Sequence, residues 1–332
     1  MKYKSFNFLF LMLFFSSFYF FLSCQESLKW LSLKEALELH KKEKKKILIS
    51  FYTNWCGWCK KMERETFQHP NIASFIQSYF YPVKFDAEGH DTIEFKGVKY
   101  VNPSKLPRTT HQFAMYLLNN RPAYPSVVYL DEDLNVLSAV PGYMSPADLQ
   151  PVLIFFARNI YKIYPFDDFK KDFLNTYRDT FNIPKNVKFS NFDILKESNK
   201  KKIIFLYHND CIECKIMLKP VINHDSIAKY LNKYFEVIAF NITSRDTIVF
   251  LGQKYIKQNN LPFHDLAIAL THGNINLPQM VFMSNNNELI SLVPGFFPAK
   301  HFEVLIHFFN EEAYKKTSWE EYFKSFKSNT FK

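Results

Sequence analysis

Four of the five cysteines in this 332-residue chain fall into two Cys-x-x-Cys pairs, Cys56/Cys59 and Cys211/Cys214. Thiols three residues apart stand about one helical turn apart, so their sulfurs can meet. At a helix start, free N–H groups and the positive dipole end stabilise a thiolate and lower its pKa. Cys56 can then attack a disulfide and Cys59 can resolve the mixed disulfide, or the reverse sequence can donate a disulfide. A purely structural role is the bland alternative, but a bridge closing so small a loop constrains the unfolded chain little. Zinc is the other. Four-cysteine zinc sites often pair their Cys-x-x-Cys motifs about 15–20 residues apart, whereas here they stand 155 apart. No metal is expected. No Ser/His/Asp constellation, glycine-rich phosphate loop or carboxylate pair stands out.

The two pairs belong to an internal repeat. Residues 91–100 read DTIEFKGVKY and residues 246–255 read DTIVFLGQKY, seven of ten identical. Tyr52, Asn54, Lys60, Met62, His69, Ile72 and Ala73 recur 155 positions on. After a two-residue shortening, His111, Pro125 and Val140-Pro141-Gly142 recur at an offset of 153 as His264, Pro278 and Val293-Pro294-Gly295. A period this long implies domains, not solenoid units. The recurring His69/His224 and His111/His264 suit capping or core roles better than catalysis.

The elements that must position the cysteines follow from pattern. Ser32-Leu33-Lys34-Glu35 is a capping box that opens a helix. Residues 47–52 read as a buried strand leading straight into the first pair. Residues 59–67 and 72–80 read as helix, 83–85 as strand, 97–110 as irregular and 111–118 as helix. Strands at 126–130 and 136–140 precede a closing helix with Ser145 as N-cap and Pro146 as first helical residue. The second copy repeats this order. The order is β-α-β-α-β-β-α with an extra N-terminal helix, and the expected architecture is α/β: domains over 28–160 and 187–312, joined by an aromatic linker over 161–186 that should pack. A basic tail, 313–332, has no assignment.

The formal charge is +10, much of it in lysine runs at 41–46 and 200–202. Solvated helix ends account for these better than an anionic partner, and no nucleic-acid motif accompanies them. Lys2, Lys4 and an apolar stretch over 8–22 form a signal-peptide layout. Ser23-Cys24 after it resembles the lipobox of bacterial lipoproteins, which implies lipidation of Cys24, membrane anchoring and a periplasmic location. An uncleaved anchor and simple secretion are the alternatives.

Trp55-Cys56-Gly57-Trp58-Cys59-Lys60, after an apolar strand and before a helix, resembles the thioredoxin superfamily, and in particular the exported thioredoxin-like domains of thiol:disulfide interchange proteins. The resemblance covers both copies and implies two tandem thioredoxin folds, each a central mixed sheet flanked by helices. It implies a thiol-disulfide oxidoreductase acting on protein thiols and disulfides with no bound cofactor beyond its redox-active disulfides. Cys56 would be the exposed nucleophile and Cys59 the buried resolving thiol. It also implies cis peptides at Tyr124-Pro125 and Leu277-Pro278, with Trp55, Trp58, Tyr124, Pro125 and Pro278 in substrate grooves. Gly142 and Gly295 resemble the family's glycine beside the groove. A net reductase would need an outside electron source, such as a membrane donor.

Two departures stand out. Ser50 and Phe205 occupy the place of the family's buried aspartate. In the second copy Asp210 replaces Trp55, and Glu213 puts a carboxylate between the cysteines. That charge should disfavour the Cys211 thiolate, with His208 a candidate to offset it. Cys211/Cys214 are therefore expected to form a slower or relay site. The rivals are a binding module that holds peptides without turnover, and a redox sensor.

Overall fold

The computed structural model describes residues 27–177, 183–328 and 330–331. Cys24 and the expected signal peptide lie outside the described residues. The first copy opens with α1 (Leu33–Lys42), whose capping box between Ser32 and Glu35 forms as expected. Then come β1 (Lys46–Tyr52), α2 (Gly57–Met62), α3 (Pro70–Tyr79) and β2 (Phe80–Asp86). A short hairpin, β3 (Ile93–Phe95) and β4 (Val98–Tyr100), precedes α4 (Gln112–Leu117), β5 (Ser126–Leu130), β6 (Val136–Pro141) and α5 (Pro146–Ala157). The sheet runs β2-β1-β5-β6. β1 and β2 are parallel, and β5 is antiparallel to both β1 and β6.

β1 occupies the centre because it is apolar on both faces. Leu48 faces one layer with Val127 and Tyr129, under α3 and α5. Ile47, Ile49 and Phe51 face the other, with Val83, Phe85 and the α4 residue Phe113. Ser145 caps α5 through the Asp148 N–H, with Pro146 in its first turn. His111 and His264 do both things expected of them: each is buried, and each accepts the N–H two residues on at a helix start.

Two local expectations are corrected. The helix over 59–67 is α-helical only to Met62 and widens into a π turn over Glu63–Phe67. Residues 97–110 are not wholly irregular. Lys96-Gly97, both at positive φ (51° and 75°), close the β3–β4 hairpin, the two-residue turn that favours glycine. The aromatic linker packs, as expected. The linker holds α6 (Phe166–Tyr177), with Phe169 and Phe173 fully buried.

The second copy repeats the plan. A short α7 (Ile194–Glu197) leads into β7 (Lys201–Tyr207), α8 (Ile212–Ile216), α9 (Asp225–Tyr234) and β8 (Phe235–Asn241). The hairpin β9 (Ile248–Phe250) and β10 (Gln253–Tyr255) is followed by α10 (Asp265–Thr271), β11 (Gln279–Met283), β12 (Leu289–Pro294) and α11 (Ala299–Asn310). Its sheet order is β12-β11-β7-β8. The tail is helical at α12 (Trp319–Ser325). It is the counterpart of α6: Phe155 meets Phe166 and Phe169, and Phe308 meets Trp319 and Tyr322. The duplicated unit thus includes the linker.

The lysine runs are largely bonded within the fold. Lys46 pairs with Glu132, Lys201 with Glu312, and buried Lys202 donates to the Ser198 and Asn285 carbonyls. Among the described residues, no helix is long and apolar enough to cross a membrane.

The domains share one apolar cluster, and α6 is the piece that joins them. It packs against α8, and Phe169 stands 6.0 Å from Phe296 of the second domain. Replacing Phe169 with Ala should lower stability by about 3 kcal/mol or more, seen as a fall in the urea midpoint. Leu174→Ala, on the same helix but 56% exposed, should change it by less than about 0.5 kcal/mol.

Candidate active sites

Each Cys-x-x-Cys pair lies where a buried strand turns into a helix. Cys56 is the N-cap of α2 and Cys211 the N-cap of α8. Both pairs are disulfide-bonded, with Cα atoms 5.3 and 5.2 Å apart. The Cys59 N–H points at Cys56 Sγ (3.0 Å), and the Cys214 N–H at Cys211 Sγ (3.1 Å). A donor already aimed at the first sulfur stabilises negative charge there once the bond opens. Among the described residues, no group of three or more His, Cys, Asp or Glu is placed to hold a metal.

Tyr124-Pro125 and Leu277-Pro278 are cis, as expected. Gly142 and Gly295 donate their N–H groups to the Pro125 and Pro278 carbonyls at 2.8 and 2.7 Å. Both glycines have φ near +100° (97° and 99°), which a side chain would strain. Tyr124 is half-buried, with its hydroxyl 3.3 Å from that of Thr110. Burial pushes its phenol pKa up.

The surroundings of the pairs differ sharply. Trp55 and Trp58 are 55% and 58% exposed. Trp55 donates to Glu88 (2.9 Å) and lies under the Arg108 guanidinium (5.3 Å). Trp58 meets Tyr143, and Lys61 stands over both rings at 5.1 Å. The first site is an open aromatic and cationic surface. The expected contrast of an exposed Cys56 with a buried Cys59 does not hold in the oxidised form: they are 5% and 8% exposed. The contrast does hold in the second domain, where Cys211 is partly exposed and Cys214 fully buried.

In the second domain, Ile212, Glu213 and Ile216 stand where the first has Gly57, Trp58 and Lys61, and all three are buried. Phe296 replaces Tyr143 and packs on Tyr164 and Phe169 of the linker. The linker therefore covers the face that the first domain leaves open. Cys211 still reaches a cavity of about 400 Å³ lined by His208, Asp210, Phe263 and Leu277, and by Phe75, Tyr79 and Arg158 of the first domain. The cation that offsets Glu213 is Arg158, whose Nε stands 3.1 Å from the carboxylate. His208 is instead 3.6 Å from Asp210. Sequence reasoning missed Arg158, because no repeat signal marks it: its counterpart is Glu311.

Ser50 is buried and carries no charge, but its register partner on β2 is Lys84. Lys84 pairs with Glu63 (3.0 Å), one turn beyond Cys59. Burial works to raise the Glu63 carboxyl, yet hydrogen bonds from Trp30, Gln68 and Lys84 outweigh it and hold it below its ordinary 4.5. Leu218 and Ala239 take these places in the second copy, so only the first pair has this carboxylate–ammonium couple beneath it. A carboxyl depressed by folding stabilises the protein above its unfolded pKa and ceases to do so as pH falls through the folded one. Urea midpoints should therefore fall on acidification below about pH 4.5, and Glu63→Gln should flatten that fall.

The thioredoxin-like domain family matches the chain twice, over residues 33–157 and 189–310. No curated protein sequence matches it. Similar solved structures include the DsbH oxidoreductase, at 20% identity and TM-score 0.30, covering 40% of this chain and 85% of that one. A thioredoxin-fold protein from Helicobacter pylori aligns at 17% and 0.31, covering 47% and 91%. A disulphide isomerase from Xylella fastidiosa aligns at 20% and 0.23, covering 42% and 86%. At these identities and scores the likenesses carry no weight beside the two family matches.

Proposed function

The chain belongs to the thioredoxin-like domain family and is a thiol-disulfide oxidoreductase, and on that premise we propose that its first domain exchanges disulfides with exported proteins while its second is a slower or relay site. The observation that carries this division is the difference in cover. Cys56/Cys59 lie beside exposed Trp55 and Trp58, whereas α6 closes the equivalent face around Cys211/Cys214. A folded protein can approach the first site. The second leaves room for an extended segment or a small thiol.

In the reducing direction, the Cys56 thiolate attacks one sulfur of a substrate disulfide. A Cys56–substrate bond forms as the other substrate sulfur leaves as thiolate and takes up a proton. Cys59 then loses its proton and attacks Cys56 Sγ. The Cys56–Cys59 disulfide forms, the second substrate sulfur leaves, and two electrons have passed to the substrate. Disulfide donation is the same path reversed. Trp55, Trp58, Tyr124 and Pro125 form the substrate groove of the first domain, and Pro278 lies beside the second site.

Export belongs to the same proposal. Its support is Lys2 and Lys4 followed by an apolar stretch and Ser23-Cys24. Lipidation of Cys24 would hold both domains at a membrane surface, near a membrane electron donor. Cys24→Ala should release the chain from the membrane fraction.

Insulin reduction by the full chain tests the division of labour. Cys56→Ser should lower turnover by about a hundredfold or more, and Cys59→Ser should trap a substrate mixed disulfide on Cys56. Cys211→Ser should leave most of the insulin activity. Equal losses from Cys56→Ser and Cys211→Ser would sink the division. The potential of each pair then sets direction: near about −270 mV for a reductase, near about −120 mV for a disulfide donor.

A further inference from the structure

Glu213 is an unusual side chain to find between two redox-active cysteines. It is 6% exposed, and an unpaired carboxylate at such depth costs several kcal/mol or takes up a proton. What compensates it comes from the other domain. Arg158, at the C-terminal end of α5, donates its Nε–H to Glu213 Oε1 at 3.1 Å. Its Nη1 donates to Asn276 Oδ1 at 2.9 Å, and its guanidinium lies 4.6 Å from the Tyr79 ring centre. A first-domain ring thus supports a first-domain cation that grips two second-domain side chains. Asn276 immediately precedes the cis Leu277-Pro278. Arg158, Glu213, Asn276 and Leu277 also line the cavity into which Cys211 opens.

We propose that Arg158 is a positioning residue of the second redox site, acting through Glu213, so that Cys211 reacts as the thiol of a site built by both domains. This rests on the reading of Cys211/Cys214 as a redox pair. With Arg158 in place, the carboxylate beside the thiolate is neutralised. Without it, Cys211 would have to ionise next to an uncompensated negative charge. The arrangement occurs once in the chain: the first copy has Trp58 at the place of Glu213, and the second copy has Glu311 at the place of Arg158. Both halves therefore belong to the docking of one domain on the other. The titratable and charged groups lining the Cys211 cavity are Tyr79, Arg158, His208, Asp210 and Glu213. His208 Nδ1 stands 3.6 Å from the carboxylate of the largely exposed Asp210 at its edge. Helix α6, packed against α8, carries Asp172, which accepts from Tyr164 at 2.8 Å. Lys215 is on α8 itself.

The test uses the full chain. Dithiothreitol supplies the two electrons and two protons that open each disulfide to a dithiol. After its removal, brief iodoacetamide pulses across a pH series, resolved by peptide mass spectrometry, give the pH midpoint of alkylation at Cys211 and at Cys56. Arg158→Gln should raise the Cys211 midpoint by about one pH unit, the effect of an added neighbouring like charge, and leave Cys56 unmoved. Arg158→Lys, which keeps the charge, should hold the wild-type midpoint. Arg158→Gln with Glu213→Gln should return it to the wild-type value, a rescue that loss of packing alone would not give. Glu213→Gln alone leaves the guanidinium uncompensated and should lower the midpoint, so this arm decides even where Arg158→Gln fails to fold. A Cys211 midpoint indifferent to Arg158 and Glu213 overturns the inference and leaves the redox reading standing. A Cys211–Cys214 disulfide that dithiothreitol never opens overturns both.

Discussion

The seating of α6 on α8 is the contact from which the rest of this molecule follows. Phe169 and Phe173 fill the space between the domains and merge two layers into one apolar cluster. Side chains on and near the second Cys-x-x-Cys helix differ from the first copy accordingly. Ile212 and Ile216 stand for Gly57 and Lys61, and Phe296 for Tyr143. Burial selects apolar side chains there because each removes surface from water at about 25 cal/mol per Å². Glu213 is the exception, and it persists only with a cation supplied from the same docking.

The two sites thus share one backbone device and differ in electrostatics. Both place the first sulfur at an N-cap where an N–H points at it, which favours thiolate without any charged neighbour. Around that device, the first site has half-buried Lys61 and exposed Arg108 stacked on tryptophans, with a Glu63–Lys84 pair one helical turn beyond Cys59. The second has a partly buried Arg158–Glu213 pair beside a cavity of about 400 Å³. A charge screened by water acts weakly and a buried one strongly. The second pair is therefore the one whose behaviour depends most on a single neighbouring side chain.

Much of this was legible in the chain itself. The repeat gave the domain count, the apolar run before each pair placed the strand, and Ser32, Ser145 and His111 marked helix starts through local hydrogen bonding that needs no tertiary context. The β3–β4 hairpin was hidden although its ten residues recur most closely, because three-residue strands carry too little alternation to read. The relation between linker and tail was hidden for another reason. Phe166 and Phe169 correspond to Trp319 and Tyr322, so aromatic bulk is kept while identity is not, and packing needs only the bulk.

Sequence by itself determined the two dithiols, the duplicated mixed sheet, the cis-proline positions and the negative charge between Cys211 and Cys214. The dithiols and the charge follow from residue type at short range, where spacing along the chain equals spacing in space, and the mixed sheet and cis-proline positions follow from the family resemblance that Trp55–Lys60 carries. Only the tertiary structure decided which site is open, that Cys56 is as buried as Cys59 when oxidised, and that Arg158 rather than His208 meets Glu213. Those depend on where a helix 45 residues before Cys211 comes to rest. No local pattern encodes that placement, because it arises from the fit of two apolar surfaces.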